Sequence, residues 1–498
     1  MTTGGLLFRI RAPAFALFVL LLGVYAYFYQ AGGWNQNSRF DLVRAVVEER
    51  TLVIDRYEKN TGDDSIRNGH YYCDKAPGAS LLCIPAYAAV FTLAGAPRPV
   101  LPGTLAWGAW LSIVFAIGVP SAIASTFLAR AARGLGMGPG ESLVLALAWS
   151  LASMALPYST LLYGNQLSAS ATIVSFALLI ELKHGPPRGT SSQRLRLAAV
   201  GALLGFAVAT EYPAALIGIP VGLYGLHVAG VRAALFAGVG ALVPVSLLLA
   251  YHAVAFGSPL AFPYDFSVWQ TPHTGWFMGI GKPNFVSLRN ILVGEYRGLV
   301  STAPWLALAV PGAVVLWRSR RAEVLVATAA VCLFLWLNAS IPPWDGGWAA
   351  GPRYLVPMLP FAALLAGGSI VEISARLAAP ERGERAAGFV LSLGLAGLVL
   401  YGAANMFAAT AVKPEIPTGH KRPYGEFIWP QFRKGQLSVS TQSIDMLDNP
   451  PNAPRQAWNL GQKAGLEGHL SLLPLGLWIA LSGAWLAVSL RRERRRSA

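Results

Sequence analysis

Residues 16–29 read ALFVLLLGVYAYFY, and this run decides the fold. No charge interrupts it, and in hydrocarbon only helices or closed barrels satisfy every backbone N–H and C=O; continuous apolar runs of this kind specify helices. Windows of about 20 apolar residues, enough to cross a hydrocarbon core of about 30 Å, recur down the chain. Apolar residues make up 54% of the 498 positions and charged residues 13%, with a mean hydropathy of +0.48. The expectation is an all-α integral membrane protein, one large helical bundle over 1–498 and no soluble domain of conventional size.

Apolar segments near 12–31, 104–129, 141–159, 167–184, 196–210, 212–229, 232–256, 298–317, 323–340, 354–376, 386–411 and 470–490 give about 12 transmembrane helices. A thirteenth run, 79–97, is settled by parity. Read as an interfacial helix, it leaves Arg130/Arg133, Lys183/Arg188/Arg194/Arg196, Arg232, Arg318/Arg320/Arg321, Arg376/Arg382/Arg385 and the basic tail 491–498 on one side. The positive-inside rule then makes that side cytoplasmic, together with both termini. Pro85, which cannot donate a helix hydrogen bond, points the same way. Arg9 and Arg11 precede the first run, and Tyr25, Tyr27, Phe28 and Tyr29 stand where a cleavage site would need small residues, so the first span is read as uncleaved.

The net charge of +15 therefore sets topology and does not indicate nucleic acid. Cys73, Cys83 and Cys332 have no metal-ligand spacing. Cys73 and Cys83 share the first external loop and could pair in an oxidising compartment, although free thiols are the reading preferred here.

The external stretches are then 32–103, a short turn at 163–170, 257–297, and an irregular Pro- and Asn-rich segment at 412–469. Residues 34–78 read WNQNSRFDLVRAVVEERTLVIDRYEKNTGDDSIRNGHYYCDKAPG, and 15 of the chain's 63 charged residues fall within 32–78. Phe40, Val43, Val46 and Val47 recur at helical spacing with Asp41, Arg44 and Glu48 opposite, which predicts an amphipathic helix on the membrane surface. The strip Asp55, Asp63, Asp64, His70, Tyr71, Tyr72, Asp74, Lys75 gathers candidate bases, a cation and aromatic platforms. A carboxylate beside an acceptor hydroxyl can act as general base, and a lysine or arginine can hold a phosphate by charge-assisted hydrogen bonds. Asp55, following Leu52-Val53-Ile54, and Asp64 are the candidate bases; Lys75, fixed by Ala76-Pro77-Gly78, is the candidate phosphate ligand.

A second cluster is PPWDGGWAAGPRYLVPMLP at 342–360. Arg353 opens a span from the external side, at the depth of a lipid phosphate, in the company of Trp344, Asp345, Trp348 and Tyr354. Such a residue serves equally as a snorkelling anchor, and the aromatics equally as an interfacial belt. Asn165, Gln166, Glu211-Tyr212-Pro213 and Glu295-Tyr296-Arg297 read as structural.

On GHYYCDKAPG, with its strip Tyr72-Cys73-Asp74-Lys75-Ala76-Pro77, on WDGGWAAGPRYLVPMLP and on YRGLVSTAPWL at 296–306, the chain resembles bacterial GT-C glycosyltransferases of the protein-mannosyltransferase and aminoarabinose-transferase type. The resemblance implies a GT-C-like fold and a polyprenyl-phosphate sugar as donor. It also implies phosphate contacts from Lys75 and Arg353 and sugar or lipid contacts from Tyr71, Tyr72, Trp344 and Tyr354. Members of that group carry an acidic residue soon after the first span. Here the stretch is Asn35-Gln36-Asn37-Ser38-Arg39, without a carboxylate, so the base has moved or the mechanism differs.

The function expected is inverting transfer of a sugar from a lipid phosphate to an acceptor hydroxyl on a glycan, lipid or protein, on the external face of a bacterial inner membrane. A divalent metal bridging the aspartates to phosphate is compatible with this chemistry, and no residue spacing demands one. The alternatives are a polytopic transporter or lipid flippase, which would place ionisable groups at mid-membrane, and an inactive scaffold.

Overall fold

The computed structural model describes residues 12–186, 189–268, 280–342, 344–445 and 453–497. Arg9, Arg11, Arg188 and most of the NPPNAP stretch lie outside the described residues. Each of the twelve expected segments contains helix, but the first, expected over 12–31, stops at Ala26, and others are interrupted at 152–154 and at Ala303. Among the described residues, eight helices are long and apolar enough to cross a membrane: Pro102–Gly134, Gly164–His184, Tyr212–Ala229, Val231–Phe256, Arg321–Ser340, Arg353–Leu377, Arg382–Val412 and Gly468–Glu493. Three shorter apolar helices join them, α1 (Ala12–Ala26), α3 (Gly78–Leu93) and Pro304–Trp317. Leu, Ala and aromatic side chains from most of these helices share one continuous core, in which Trp149, Trp305 and Phe361 are fully buried.

Arg130, Arg133, Lys183, Arg196 and Arg320, from three of the basic clusters expected on one side, meet at one end of the bundle. Glu323 accepts from Lys183, His184 and Tyr224 at 2.9, 2.7 and 2.6 Å. Arg130 and Arg196 share Glu181, Arg133 pairs with Glu493, and Arg320 reaches His184. The helix Gly164–His184 carries Lys183 and His184 into this knot and, at its other end, follows Tyr163. Its 21 residues span about 31 Å at about 1.5 Å each, one hydrocarbon thickness.

At the Tyr163 end the first loop is folded, and one expectation changes. After α1 comes a short strand β1 (Phe28–Tyr29), then α2 (Trp34–Arg44), which runs on through a wider turn at Ala45–Glu49. The apolar face of α2 is buried as expected, but so is its polar face: Asp41, Arg44 and Glu48 are 0%, 5% and 3% exposed. The helix does not lie on a membrane surface with one face in water. Asn60 donates to Asp41, Arg44 pairs with Glu48 and with Asp445, and Tyr87 and Tyr57 donate to Glu48. Hydrogen bonding on that scale is what makes burial of so much charge tolerable.

The strip from Asp64 to Cys73 is a β-hairpin, β2 (Asp64–Arg67) against β3 (His70–Cys73). Asn68 and Gly69 turn it with φ of 53° and 79°, the two-residue turn with both φ positive that Asn-Gly favours. Strand β1 pairs with β4 (Trp458–Asn459) near the other end of the chain. Cys73 and Cys83 are free and buried; the Cys73 thiol receives the Ser38 hydroxyl and the Cys83 thiol points at Ser112.

Candidate active site

The stretch Asn35–Arg39, which lacks a carboxylate, is the hub of the polar end. Gln36, Asn37, Ser38 and Arg39 are all at most 2% exposed, and each docks on a different segment. Gln36 accepts the Leu162 amide and donates to Glu415, at 3.0 and 2.9 Å. Asn37 donates to the carbonyls of Asn60 and Ser443. Ser38 reaches Cys73 and, at 3.5 Å, Asp74. Arg39 donates to Asn35, to the Ala76 carbonyl and to Glu211, the last at 2.7 Å.

One cluster forms around Lys75. Its ammonium lies 2.9 Å from Asp74 and 3.0 Å from Asp63. Burial pulls this lysine down, but the two carboxylates outweigh it and hold it above the ordinary range. Burial, with repulsion from the neighbouring carboxylates, lifts Asp64 to about 6. Asp74 also stands at about 6, raised by burial against the pull of Lys75. Asp64 is 5% exposed, and its Oδ1 has no hydrogen-bond partner among the described residues. No group of three or more His, Cys, Asp or Glu side chains is arranged to hold a metal among the described residues; the cation these aspartates surround is Lys75.

The second cluster centres on Arg353. Its guanidinium donates to the Tyr163 hydroxyl at 3.0 Å and lies over the rings of Tyr163 and Tyr354. No carboxylate stands within ion-pair distance of it among the described residues. Tyr163 in turn donates to Glu415 at 2.7 Å. Lys413 rests its ammonium over the Trp348 ring, 4.7 Å from the centroid. Arg297, 1% exposed, fixes the adjoining backbone by donating to the Asp345 and Ile416 carbonyls. Its Nε is buried without a partner among the described residues.

The sequence-predicted residues divide between these clusters and elsewhere. Lys75 and Asp64 belong to the first cluster, Arg353 and Tyr354 to the second, and the two cations share no partner among the described residues. Trp344 is half-buried against Tyr296, and its carbonyl accepts from Asn338. Tyr71 and Tyr72 are half-buried on β3, with Tyr72 against Phe256. Asp55 stands at the open edge of the hairpin: its carboxylate accepts the Tyr71 amide at 2.6 Å and lies 2.7 Å from His70 Nδ1. Ile54 beside it is buried in one cluster with Leu42, Tyr57, Tyr251 and Phe256. Asp55→Ala is therefore expected to lower stability by about 1 kcal/mol, the net worth of one hydrogen bond. Faster hydrogen exchange at the Tyr71 amide would report it; unchanged exchange would show that the carboxylate does not hold the hairpin.

Sequence alone does not single out Glu415 or Tyr163; it marks Gln36 as a place where an acid is missing, not as a donor to one, and it reads Arg297 and Glu211 as structural. The signal for Glu415 is slight: one acid in KPEIP, 379 residues from its partner Gln36.

No protein-family model matches the chain, and no curated protein matches its sequence. Among solved structures it matches that of ArnT from Cupriavidus metallidurans bound to undecaprenyl phosphate. The match covers 85% of this chain and 79% of that one, at 16% identity and a TM-score of 0.50. The chain has a GT-C-like fold. The apo form of ArnT aligns over 86% of this chain and 80% of its own, at 15% identity and a TM-score of 0.49. An oligosaccharyltransferase from Archaeoglobus fulgidus aligns over 89% of this chain and 62% of its own, at 12% identity and a TM-score of 0.49. Within this GT-C-like fold, the hub of α2 and the clusters of Lys75 and Arg353 occupy the bundle end opposite the basic knot.

Proposed function

We propose that the protein is a membrane glycosyltransferase that moves a sugar from a polyprenyl-phosphate donor to an acceptor hydroxyl with inversion, on the external face of a bacterial inner membrane. One observation carries the reading. Arg353 opens a membrane-spanning helix, and among the described residues tyrosines alone hold its guanidinium, so its charge can meet a lipid phosphate; a buried carboxylate stands one tyrosine away. Lys75 is the second phosphate ligand: two of its three N–H groups face Asp74 and Asp63, and the third remains for a phosphate oxygen. As the bond to the sugar breaks, charge gathers on the departing phosphate, where preorganised cations in a water-poor site act most strongly. Tyr354, Trp344, Tyr71 and Tyr72 supply apolar faces for lipid and sugar. The undecaprenyl phosphate bound by the ArnT structure supports a donor of this class. The basic knot at the opposite end supports an external site through the positive-inside rule.

The acceptor hydroxyl must lose its proton to a carboxylate. Of the two loop aspartates expected in that role, Asp64 stands within a cluster and Asp55 at the hairpin's edge. Against transport, the ion pairs described lie at the ends of the helices.

The test is reconstitution in liposomes with labelled polyprenyl-phosphate sugars and a panel of glycan, lipid and peptide acceptors. Protein-dependent release of polyprenyl phosphate, with the label on an acceptor, is expected. Movement of the labelled lipid between leaflets with no chemical change would replace this reading by a flippase.

A further inference from the structure

Glu415 is built into the site in a way that a simple tether does not need. Its carboxylate is 4% exposed and receives one hydrogen bond on each oxygen, from Tyr163 on Oε1 and from Gln36 on Oε2. Each oxygen keeps a lone pair. Backbone gives way to it: a Cβ on Gly33 would lie 2.6 Å from both oxygens, so only glycine leaves the carboxylate its place. Its neighbours are held too, with Lys413 stacked over Trp348 and the Ile416 carbonyl bonded to Arg297. The groups that face it are Gln36 from α2, Tyr163 before its helix, Arg353 through Tyr163, and Lys413 on its own segment.

We propose that Glu415 is the general base of the transfer reaction, taking the proton of the acceptor hydroxyl beside the Arg353 phosphate site. This rests on the glycosyl-transfer reading above and supplies its base. The amide of Gln36, at the start of α2, then orients an acid that comes from the far end of the sequence. The acceptor oxygen bonds to the anomeric carbon while its proton passes to Glu415. The bond from that carbon to the phosphate oxygen breaks with its electron pair on oxygen, and polyprenyl phosphate departs with one more negative charge, facing Arg353. Glu415 then returns the proton to water.

Two further facts favour Glu415 over Asp64. Asp64 is surrounded by Asp63 and Asp74, and its nearest cation, Lys75, is already paired with both of them. Glu415 is connected by Tyr163 to a cation that has no acidic partner among the described residues. Burial also raises its carboxyl above the ordinary glutamate range, against the opposing pull of Tyr163 and Lys413, and a base works best when its pKa lies near the working pH.

The experiment compares Glu415→Gln, the exchange Gln36→Glu/Glu415→Gln, and Asp64→Asn in liposomes with a polyprenyl-phosphate sugar donor. Glu415→Gln is expected to lower kcat by about 10²–10⁴-fold with donor KM nearly unchanged, and to remove the acidic limb of the kcat–pH profile. The exchange puts a carboxylate back across the same hydrogen bond, and is expected to recover at least about 10-fold of the loss and to restore the limb. It also answers for Glu415→Gln should that variant fold poorly. Glu415→Gln turning over within a few-fold of wild type overturns the assignment, and so does loss of the limb in Asp64→Asn alone. Wild-type protein that transfers no sugar from any such donor overturns the reaction itself; only in the former cases does the wild type stay active.

Discussion

Lys75→Met removes sugar transfer and destabilises the protein, and the two effects can be separated. Loss of one preorganised donor to a developing anion lowers turnover by about 10²–10³-fold. The structural effect has another source: Asp74, 2% exposed, and Asp63 lose the ammonium 2.9 and 3.0 Å away. Removing one partner of a buried pair destabilises by about 3–5 kcal/mol, because a charge is left buried without compensation. The pH dependence follows from the carboxyls at about 6 in Asp64 and Asp74, above the ordinary 3.8. A raised acid binds its proton more tightly in the folded state, so it favours folding below pH 3.8, and that advantage is lost as pH rises through about 6. Lys75 limits the loss; without it the window extends upward. Melting of Lys75→Met should therefore lie nearest wild type at pH 5 and furthest below it at pH 8. Adding Asp63→Asn and Asp74→Asn should restore melting at pH 8 while transfer stays absent. Recovery of transfer along with stability would make Lys75 a purely structural residue.

Arg353→Ala is expected to lower kcat/KM for the donor by about 10²–10³-fold, again the scale of one lost donor to a developing anion. Here the structural cost is small, because no carboxylate is left stranded: the partners are the Tyr163 hydroxyl and the faces of two tyrosines. Arg353→Lys should recover little. A planar guanidinium can lie between two rings and still offer N–H groups to a phosphate, whereas an ammonium on a flexible stem cannot do both. Binding of polyprenyl phosphate, followed by intrinsic fluorescence of the nearby tryptophans, separates this from a folding defect. Wild-type binding in Arg353→Ala would remove the residue from the phosphate site.

The spans could be read from sequence because the bilayer imposes them: nothing but a long apolar run satisfies a backbone in hydrocarbon, so ALFVLLLGVYAYFY has one meaning. The polar end has no such constraint. The period of Phe40, Val43 and Val47 marked a buried face on α2, but periodicity cannot tell that the opposite face, Asp41, Arg44 and Glu48, is covered by Asn60, Tyr57, Tyr87 and Asp445. Asn68-Gly69 was a legible hairpin signal, overshadowed by the charges around it. Lys75 stood out through its Pro-Gly context and Arg353 through its place at a helix mouth. Tyr163 and Glu415 do not, and Gln36 does only as a missing acid, since their meaning lies in contacts hundreds of positions apart.

The same distance bears on how the molecule is made. Gln36 waits for Glu415, Asn37 for Ser443, and Phe28 and Tyr29 for Asn459 and Trp458. During synthesis from the N-terminus, α2 enters its place with buried amides, a serine and an arginine whose partners have yet to leave the ribosome. A nascent chain stopped before Glu415 holds every piece of the Lys75 hairpin but no completed hub. Proteolysis of chains arrested at successive lengths should then find the first loop open to cleavage until the last polar segment has been added, and closed from that point on.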